Sequence, residues 1–199
     1  MTIILTGFTP FGPVAVNPSQ LIVEQIVQRG YFPEVVAAVL PTEYAASGNG
    51  IRDLIRTHQP DAVLCLGVAA KRTTISLERV ALNLDDAPVA DNAGDLAKGR
   101  MIDADAQLAY WATLPLERML AALQEQQIPV SISNHAGAYV CNHVFFSSLR
   151  ELEILNHSIP CGFIHVPDLC ETPEQGPGLP LATMVTAVET CLRVLQASH

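Results

Sequence analysis

The chain alternates short, strongly apolar runs with longer segments in which apolar residues recur at helical spacing. The apolar runs predict strands of a sheet covered on both faces, because such strands need no polar side. Asn17-Pro18 and Gly30 give the first helix a start signal and a stop signal. The predicted strands are 3–6, 35–40, 62–67, 73–84, 129–133 and 162–166, and the predicted helices are 18–29, 43–58, 115–127, 139–155 and 181–195.

This order of elements predicts one α/β domain over residues 1–199. We expect three layers (α/β/α), with helices on both faces of a twisted, mixed and mostly parallel sheet. A chain of 199 residues is long enough to bury a full core. A long polar connection, residues 85–105, interrupts the alternation, and loops of this length are usually functional or mobile. Its six aspartates predict a solvated loop: Asp85, Asp86, Asp91, Asp95, Asp103 and Asp105.

Composition narrows the possible partners and the compartment. The chain has 20 acidic and 11 basic residues, and the basic residues form no stripe along the sequence. We therefore expect no nucleic-acid partner. No apolar run approaches the roughly 18 to 20 residues of a membrane-spanning helix, so we expect no membrane partner. The first basic residue is Arg29, which argues against a signal peptide and for a cytoplasmic protein. The five cysteines are an odd, widely spaced set that indicates reduced thiols: Cys65, Cys141, Cys161, Cys170 and Cys191.

Ligands of open α/β sheets bind beyond the carboxyl ends of strands, so the strand-to-loop junctions are the first candidates. The first junction is Gly7-Phe8-Thr9-Pro10-Phe11-Gly12. Pro13-Val14 stand where a phosphate loop needs lysine followed by serine or threonine, which disfavours a phosphate site. Prolines and glycines instead hold two aromatic rings at the mouth of the sheet. We interpret Phe8 and Phe11 as pocket walls rather than ordinary core residues.

Three further positions offer reactive side chains. Cys141 lies at the start of a predicted helix, where the helix dipole and free N–H groups stabilise a thiolate and can bind an oxyanion. His165 ends a buried strand, where its imidazole can face the same rim of the sheet. Glu78 stands in an apolar strand, where a carboxylate needs a partner, either Arg79 or a histidine.

Together the thiol, imidazole and carboxylate predict a nucleophile, a general base and an orienting group. Spacing alone supports this weakly, because any chain of this length contains such a trio. A metal hydrolase is the competing enzyme class, with ligands drawn from His135, Cys141, His143 and Cys170. No pair of these has the spacing of a known zinc site, so we expect no metal centre.

At these positions the sequence resembles the pyroglutamyl peptidase I family, also called the pyrrolidone-carboxylate peptidases. The resemblance covers essentially the whole chain and rests on four motifs in the same order. They are Gly7-Phe8-Thr9-Pro10-Phe11-Gly12 with Asn17-Pro18, Ile75-Ser76-Leu77-Glu78-Arg79-Val80-Ala81, Ser133-Asn134-His135-Ala136-Gly137-Ala138-Tyr139-Val140-Cys141-Asn142, and Gly162-Phe163-Ile164-His165-Val166-Pro167.

The resemblance implies a cysteine omega-peptidase that removes an N-terminal pyroglutamyl (5-oxoproline) residue from peptides through a thioester acyl-enzyme. It makes Cys141 the nucleophile, His165 the base and later the acid, and Glu78 the orienting carboxylate. Phe8 and Phe11 would clamp the two faces of the lactam ring. The resemblance also implies that no cofactor is needed, that the protein is cytoplasmic, and that it forms a homo-oligomer, commonly a homotetramer.

The chain departs from the family pattern in two loops. Asp86-Ala87 is followed by Pro88 where the family usually has an arginine that borders the active site, and Arg72, Arg79 or Arg100 could replace it. Lys71 stands where the family more often has a glycine. These departures motivate a second hypothesis, a catalytically weakened family member that binds pyroglutamyl or related lactams without efficient turnover.

Overall fold

The computed structural model describes residues 1–12, 14–172 and 176–197. Pro13, used above against a phosphate loop, and the last two residues of the predicted domain lie outside these ranges. The strands are β1 (Ile3–Phe8), β2 (Val35–Leu40), β3 (Ala62–Val68), β4 (Ile75–Leu82), β5 (Ala109–Trp111), β6 (Val130–His135) and β7 (Cys161–Val166). The helices are α1 (Pro18–Arg29), α2 (Tyr44–His58), α3 (Leu116–Glu125), α4 (Val140–Ile154) and α5 (Leu181–Gln196).

All predicted helices and strands are present, with shifts of a few residues at their ends. The signals around α1 act as expected: Asn17 Oδ1 accepts a hydrogen bond from the Ser19 N–H, and Gly30 ends the helix with φ 66°. The sequence analysis missed β5. This strand has only three residues, and it forms because the end of β4 offers it an antiparallel partner.

The strands form one sheet in the order β2-β1-β3-β7-β4-β5, and β6 pairs with β4. Strands β1, β2, β3 and β7 are parallel to one another. Strand β4 is antiparallel to β7 and β5 and parallel to β6, so β4 and β6 run against the other five described strands. The sheet is therefore mixed but mostly parallel, which confirms the predicted fold class.

Helices cover both faces of the sheet. Helices α1, α3 and α5 pack over one apolar core and α2 and α4 over the other, which gives three layers. Side chains alternate between the two faces along each strand. In β4, Ile75 and Leu77 therefore join the first core, while Ser76 and Glu78 face α2 and α4. No described helix is both long enough and apolar enough to span a membrane.

The prediction of a solvated acidic loop is wrong for two of its six aspartates. Asp85 and Asp91 are buried. Asp91 accepts hydrogen bonds from the N–H groups of Tyr44, Ala93 and Asp95, and so caps α2 while closing its own turn. Asp85 pairs with His143 of α4. The connection is thus tied to both helices of one layer, because its carboxylates satisfy helix and side-chain donors.

A close approach between β1 and α1 requires the glycine at position 7. A Cβ atom there would lie 2.6 Å from the backbone oxygen of Ser19, in the first turn of α1. Backbone atoms in a helix cannot yield as a flexible side chain can. Gly7 therefore sets the distance between this helix and the loop that carries Phe11.

We predict that Gly7→Ala lowers the free energy of unfolding by about 1 to 3 kcal/mol, because the added methyl group pushes α1 away from β1. Urea unfolding of the purified variant measures the loss.

The matched control is Gly50→Ala within α2, where the nearest atom to a new Cβ is the mobile Leu40 Cδ2 at 3.1 Å. Alanine is the better helix former by roughly 1 kcal/mol, so this variant should be at least as stable as the wild type. Equal stability of the two variants would contradict the packing account.

Candidate active site

The side chains of Glu78 and His165 meet in the layer between the sheet and α4. Strands β4 and β7 are antiparallel, with Glu78 opposite Phe163 and Ser76 opposite His165, so all four side chains project to one face. His165 Nδ1 lies 2.7 Å from Glu78 Oε1. Burial raises the pKa of the Glu78 carboxyl, but this effect is outweighed by contacts that include the hydrogen bonds from His165 and Arg72, which hold the pKa below its ordinary value. The carboxylate is therefore ionised, and Nδ1 donates to it.

The predicted partner of Glu78 is confirmed as a histidine and not as Arg79. The Arg79 guanidinium lies on the other face of the sheet and donates to Asn134 Oδ1 at 2.8 Å. A second donor, which the sequence analysis did not name as a partner of Glu78, is Arg72, whose Nη1 lies 2.9 Å from Glu78 Oε1. Arg100 contacts Asp85 and Asp95. The sequence could not show the Arg72 contact, because it depends on where the β3–β4 loop folds.

Cys141 lies in the first turn of α4 with its sulfur directly over the backbone of Gly67. A Cβ atom on Gly67 would lie 2.7 Å from Cys141 Sγ, so only glycine leaves room for the thiol. Gly67 is the register partner of His165 in the neighbouring strand. Adjacent strands are about 4.8 Å apart, so the thiol rests beside the strand position of the imidazole, on the same face of the sheet.

Cys141 differs from the other cysteines in its accessibility. All five are free thiols; Cys141 is partly exposed and the other four are buried. This agrees with the expected reduced state. Burial of the sulfur raises the pKa of the Cys141 thiol to about 12, and the nearby Glu78 charge adds to the increase. The resting group is therefore a neutral thiol that needs a base before it can attack.

Cys141 does not follow directly from the carboxyl end of a strand into the site, as the sequence analysis expected. Strand β6 runs against β7, so its carboxyl end points to the opposite edge of the sheet from the end that carries His165. The segment 136–139 turns back, with Gly137 at φ 83°, and delivers the start of α4 to His165. Two hydrogen bonds tie segment 136–139 to the polar connection 85–105. Asp86 N–H donates to Ala138 O, and Tyr139 Oη donates to Ala90 O.

A cavity of about 300 Å³ opens beside Cys141. Its lining is mainly apolar: Phe8, Phe11, Val14, Val16, Asn17, Pro18, Thr42, Val68, Ala70, Val89, Tyr139, Cys141 and Asp168. The structure places both Phe8 and Phe11 in this wall, where Phe11 packs edge-on against Tyr139. The side chains of Asn17 and Thr42 are engaged with the Thr9 carbonyl, and Asp168 accepts from the Lys71 N–H. The interior therefore suits an uncharged group.

Three of the four candidate metal ligands, His135, His143 and Cys170, form hydrogen bonds to other groups of the chain. His143 Nδ1 lies 3.0 Å from Asp85 Oδ2, and His135 Nδ1 accepts from the Gly137 N–H. The Cys170 thiol donates to the carbonyls of Thr172 and Gly176. Within residues 1–12, 14–172 and 176–197, no three His, Cys, Asp or Glu side chains converge as a metal site would require.

A partly exposed thiol on the same face of the sheet as an imidazole that is paired with a buried carboxylate is the set of groups found in hydrolases of the cysteine type. Comparison with known proteins gives the family. The chain matches the pyroglutamyl peptidase family over residues 1–197, and it belongs to that family.

Individual relatives agree with this assignment over their full length. The chain is 35% identical to a pyrrolidone-carboxylate peptidase of Bacillus cereus (strain Q1), over 97% of this chain and 92% of the relative. It is 37% identical to pyrrolidone-carboxylate peptidase 1 of Caldanaerobacter subterraneus subsp. tengcongensis, over 98% of each.

Solved structures show the same architecture. The crystal structure of Bacillus amyloliquefaciens pyroglutamyl peptidase I superposes with a TM-score of 0.91 at 35% identity, covering 100% of this chain and 97% of that one. Pyrrolidone carboxyl peptidase from the hyperthermophile Pyrococcus furiosus gives a TM-score of 0.91 at 30% identity, covering 100% and 99%. The fold is thus that of this peptidase family.

Proposed function

We propose that this protein hydrolyses the amide bond that follows an N-terminal pyroglutamyl residue of peptides, with Cys141 as nucleophile, His165 as base and acid, and Glu78 as orienting carboxylate. The observation that carries the proposal is the apolar cavity of about 300 Å³ that opens onto the Cys141 thiol. The family relationship supports turnover rather than the alternative of a lactam-binding protein without efficient turnover.

The cavity suits a pyroglutamyl ring for physical reasons. A five-membered lactam has two apolar faces and one amide edge, and it carries no ammonium group that would require a carboxylate. Phe8 and Phe11 offer aromatic surface for the ring faces, while backbone groups read the ring N–H and C=O. Asp168 lines the cavity, but its Oδ2 already accepts from a backbone N–H.

The reaction follows from the order of the three groups. His165 Nε2 takes the Cys141 proton, and Glu78 stabilises the resulting imidazolium through Nδ1–H. The thiolate attacks the pyroglutamyl carbonyl carbon, and the imidazolium protonates the leaving amine as the C–N bond breaks. His165 then takes a proton from water, the hydroxide attacks the thioester carbon, and the C–S bond breaks. The products are free pyroglutamate and the regenerated thiol.

The start of α4 supplies donors for the oxyanion of each tetrahedral intermediate. The first N–H groups of a helix lack intrahelical acceptors. The N-cap residue Tyr139 makes no side-chain capping bond, so it does not occupy them. These groups point toward the end of the helix where Cys141 lies, and the helix dipole adds to their attraction for negative charge.

We also propose a cytoplasmic location and a homotetramer for this chain. Five reduced thiols suit a reducing compartment. Leu108 and Trp111 expose 78% and 69% of their surface beside β5, which favours burial against another copy. Light scattering that returned the mass of one 21.4 kDa chain would contradict the tetramer.

We predict that Cys141→Ser abolishes cleavage of a pyroglutamyl-linked fluorogenic amide under reducing conditions near neutral pH, because serine is nearly isosteric but a far weaker nucleophile in this setting. Initial rates and thermal unfolding measure activity and folding together.

The control is Cys191→Ser, which makes the same change in α5, away from the site, and should retain activity. Wild-type rates in Cys141→Ser would exclude Cys141 as the nucleophile. A wild-type protein that binds the substrate analogue but never cleaves it would restore the lactam-binding alternative.

We predict that Glu78→Gln lowers kcat/KM by roughly two to four decades, because His165 loses the group that fixes its tautomer and stabilises its charge. Steady-state kinetics on the same amide measure the change.

Glu151→Gln is the matched control, because Glu151 is also fully buried and pairs with an arginine, Arg56, between α2 and α4. This variant should lose stability but keep its kcat. An unimpaired Glu78→Gln enzyme would instead indicate a Cys-His dyad.

A further inference from the structure

The carboxylate of Glu78 is held through one of its two oxygens. Oε1 accepts from His165 Nδ1 at 2.7 Å and from Arg72 Nη1 at 2.9 Å, whereas Oε2 is buried without a hydrogen-bond partner. Two donors on one oxygen fix the direction of its lone pairs and therefore the plane of the carboxylate. The position of Arg72 thus bears directly on the hydrogen bond that holds His165.

The loop between β3 and β4 is built to deliver the Arg72 guanidinium to this point. Arg72 N–H donates to the Ala69 carbonyl at 3.2 Å, which closes a turn around Lys71. Lys71 has φ 69°, in the left-handed region that non-glycine residues rarely adopt. Its N–H donates to Asp168 Oδ2 at 3.0 Å, three residues beyond His165. The turn is therefore anchored to the segment that follows the histidine.

We propose that Arg72 is a positioning residue for the reaction, which holds the Glu78 carboxylate in the orientation that accepts the hydrogen bond from His165 Nδ1. This inference rests on the roles proposed above for Glu78 and His165.

Polar groups from several elements face the Glu78–His165 pair. Glu78 projects from β4, Arg72 from the β3–β4 loop, and the Cys141 thiol from α4, while β6 places the Ser133 hydroxyl level with Glu78. The hydrogen bond from Arg72 to Oε1 is one of the contacts that hold the pKa of the Glu78 carboxyl below its ordinary value. Arg72 therefore helps to keep Glu78 ionised, as the acceptor for His165 Nδ1–H.

The test compares Arg72→Gln, which keeps a donor but removes the charge, with Arg72→Lys, which keeps the charge. Arg79→Gln is the matched control, since Arg79 is next to Glu78 in sequence but faces the other side of the sheet. Each variant is assayed for kcat, KM and the pH dependence of kcat/KM on a pyroglutamyl amide. Thermal unfolding confirms that each variant is folded.

We expect Arg72→Gln to move the acidic limb of kcat/KM to higher pH, because loss of the Arg72 contact raises the pKa of the Glu78 carboxyl, and a protonated Glu78 no longer accepts from His165 Nδ1. The same variant should lower kcat at the optimum by roughly tenfold, because the carboxylate is less well oriented, with little change in KM. Arg72→Lys should restore the acidic limb, and Arg79→Gln should behave as the wild type.

The role of Arg72 would be overturned if Arg72→Gln left both the acidic limb and kcat unchanged while Glu78→Gln lost activity. The proposed function would not be affected by that result. The role of Arg72 would also be overturned by a change confined to KM, which would make Arg72 a substrate contact, or by an equal shift in Arg79→Gln, which would show a general charge effect. Full activity in Glu78→Gln would instead overturn the triad itself.

Discussion

A carboxylate with no exposed surface lies in the middle of β4, and the hydrogen bond from His165 makes its burial possible. Removing a charged group from water costs several kcal/mol unless its partners are well placed. Here the partners are an imidazole from the adjacent antiparallel strand and a guanidinium from the preceding loop. The register of β4 against β7 and the fold of the β3–β4 loop both bring a donor to this one group.

The reversed strands are what make the pairing geometrically possible. Because β4 is antiparallel to β7, Glu78 approaches His165 from mid-strand rather than from a loop. The same reversal sends β6 away from the site, so the chain must fold back before α4 can begin beside Gly67. The acidic connection holds that return in place through the bonds of Asp86 to Ala138 and of Ala90 to Tyr139, and through the buried Asp85, which pairs with His143 of α4. A segment whose sequence predicts a solvated loop is therefore structural support for Cys141.

Local signals predicted the elements well, because caps and apolar runs act within a few residues. Asn17 and Gly30 mark the ends of α1, and uniformly apolar runs mark strands that are covered on both faces. Residue types and the family resemblance also singled out Cys141, His165 and Glu78, which the fold brings to one face of the sheet. The contacts that were missed are the pairing of β5 with β4, the burial of Asp85 against His143, and the hydrogen bond from Arg72 to Glu78. Each depends on the direction of a strand or the path of a loop, which no short stretch of sequence specifies.

The central claim is that Glu78 holds His165 as the Nδ1–H tautomer, with Nε2 free to take the thiol proton. Nitrogen-15 NMR of histidine-labelled protein at neutral pH measures the protonation of each ring nitrogen directly. We expect a protonated Nδ1 with a slowly exchanging, downfield proton, and an unprotonated Nε2. The signal of the Nδ1 proton should be lost in Glu78→Gln. A His165 ring that carries its proton on Nε2, with Nδ1 unprotonated, would contradict the central claim.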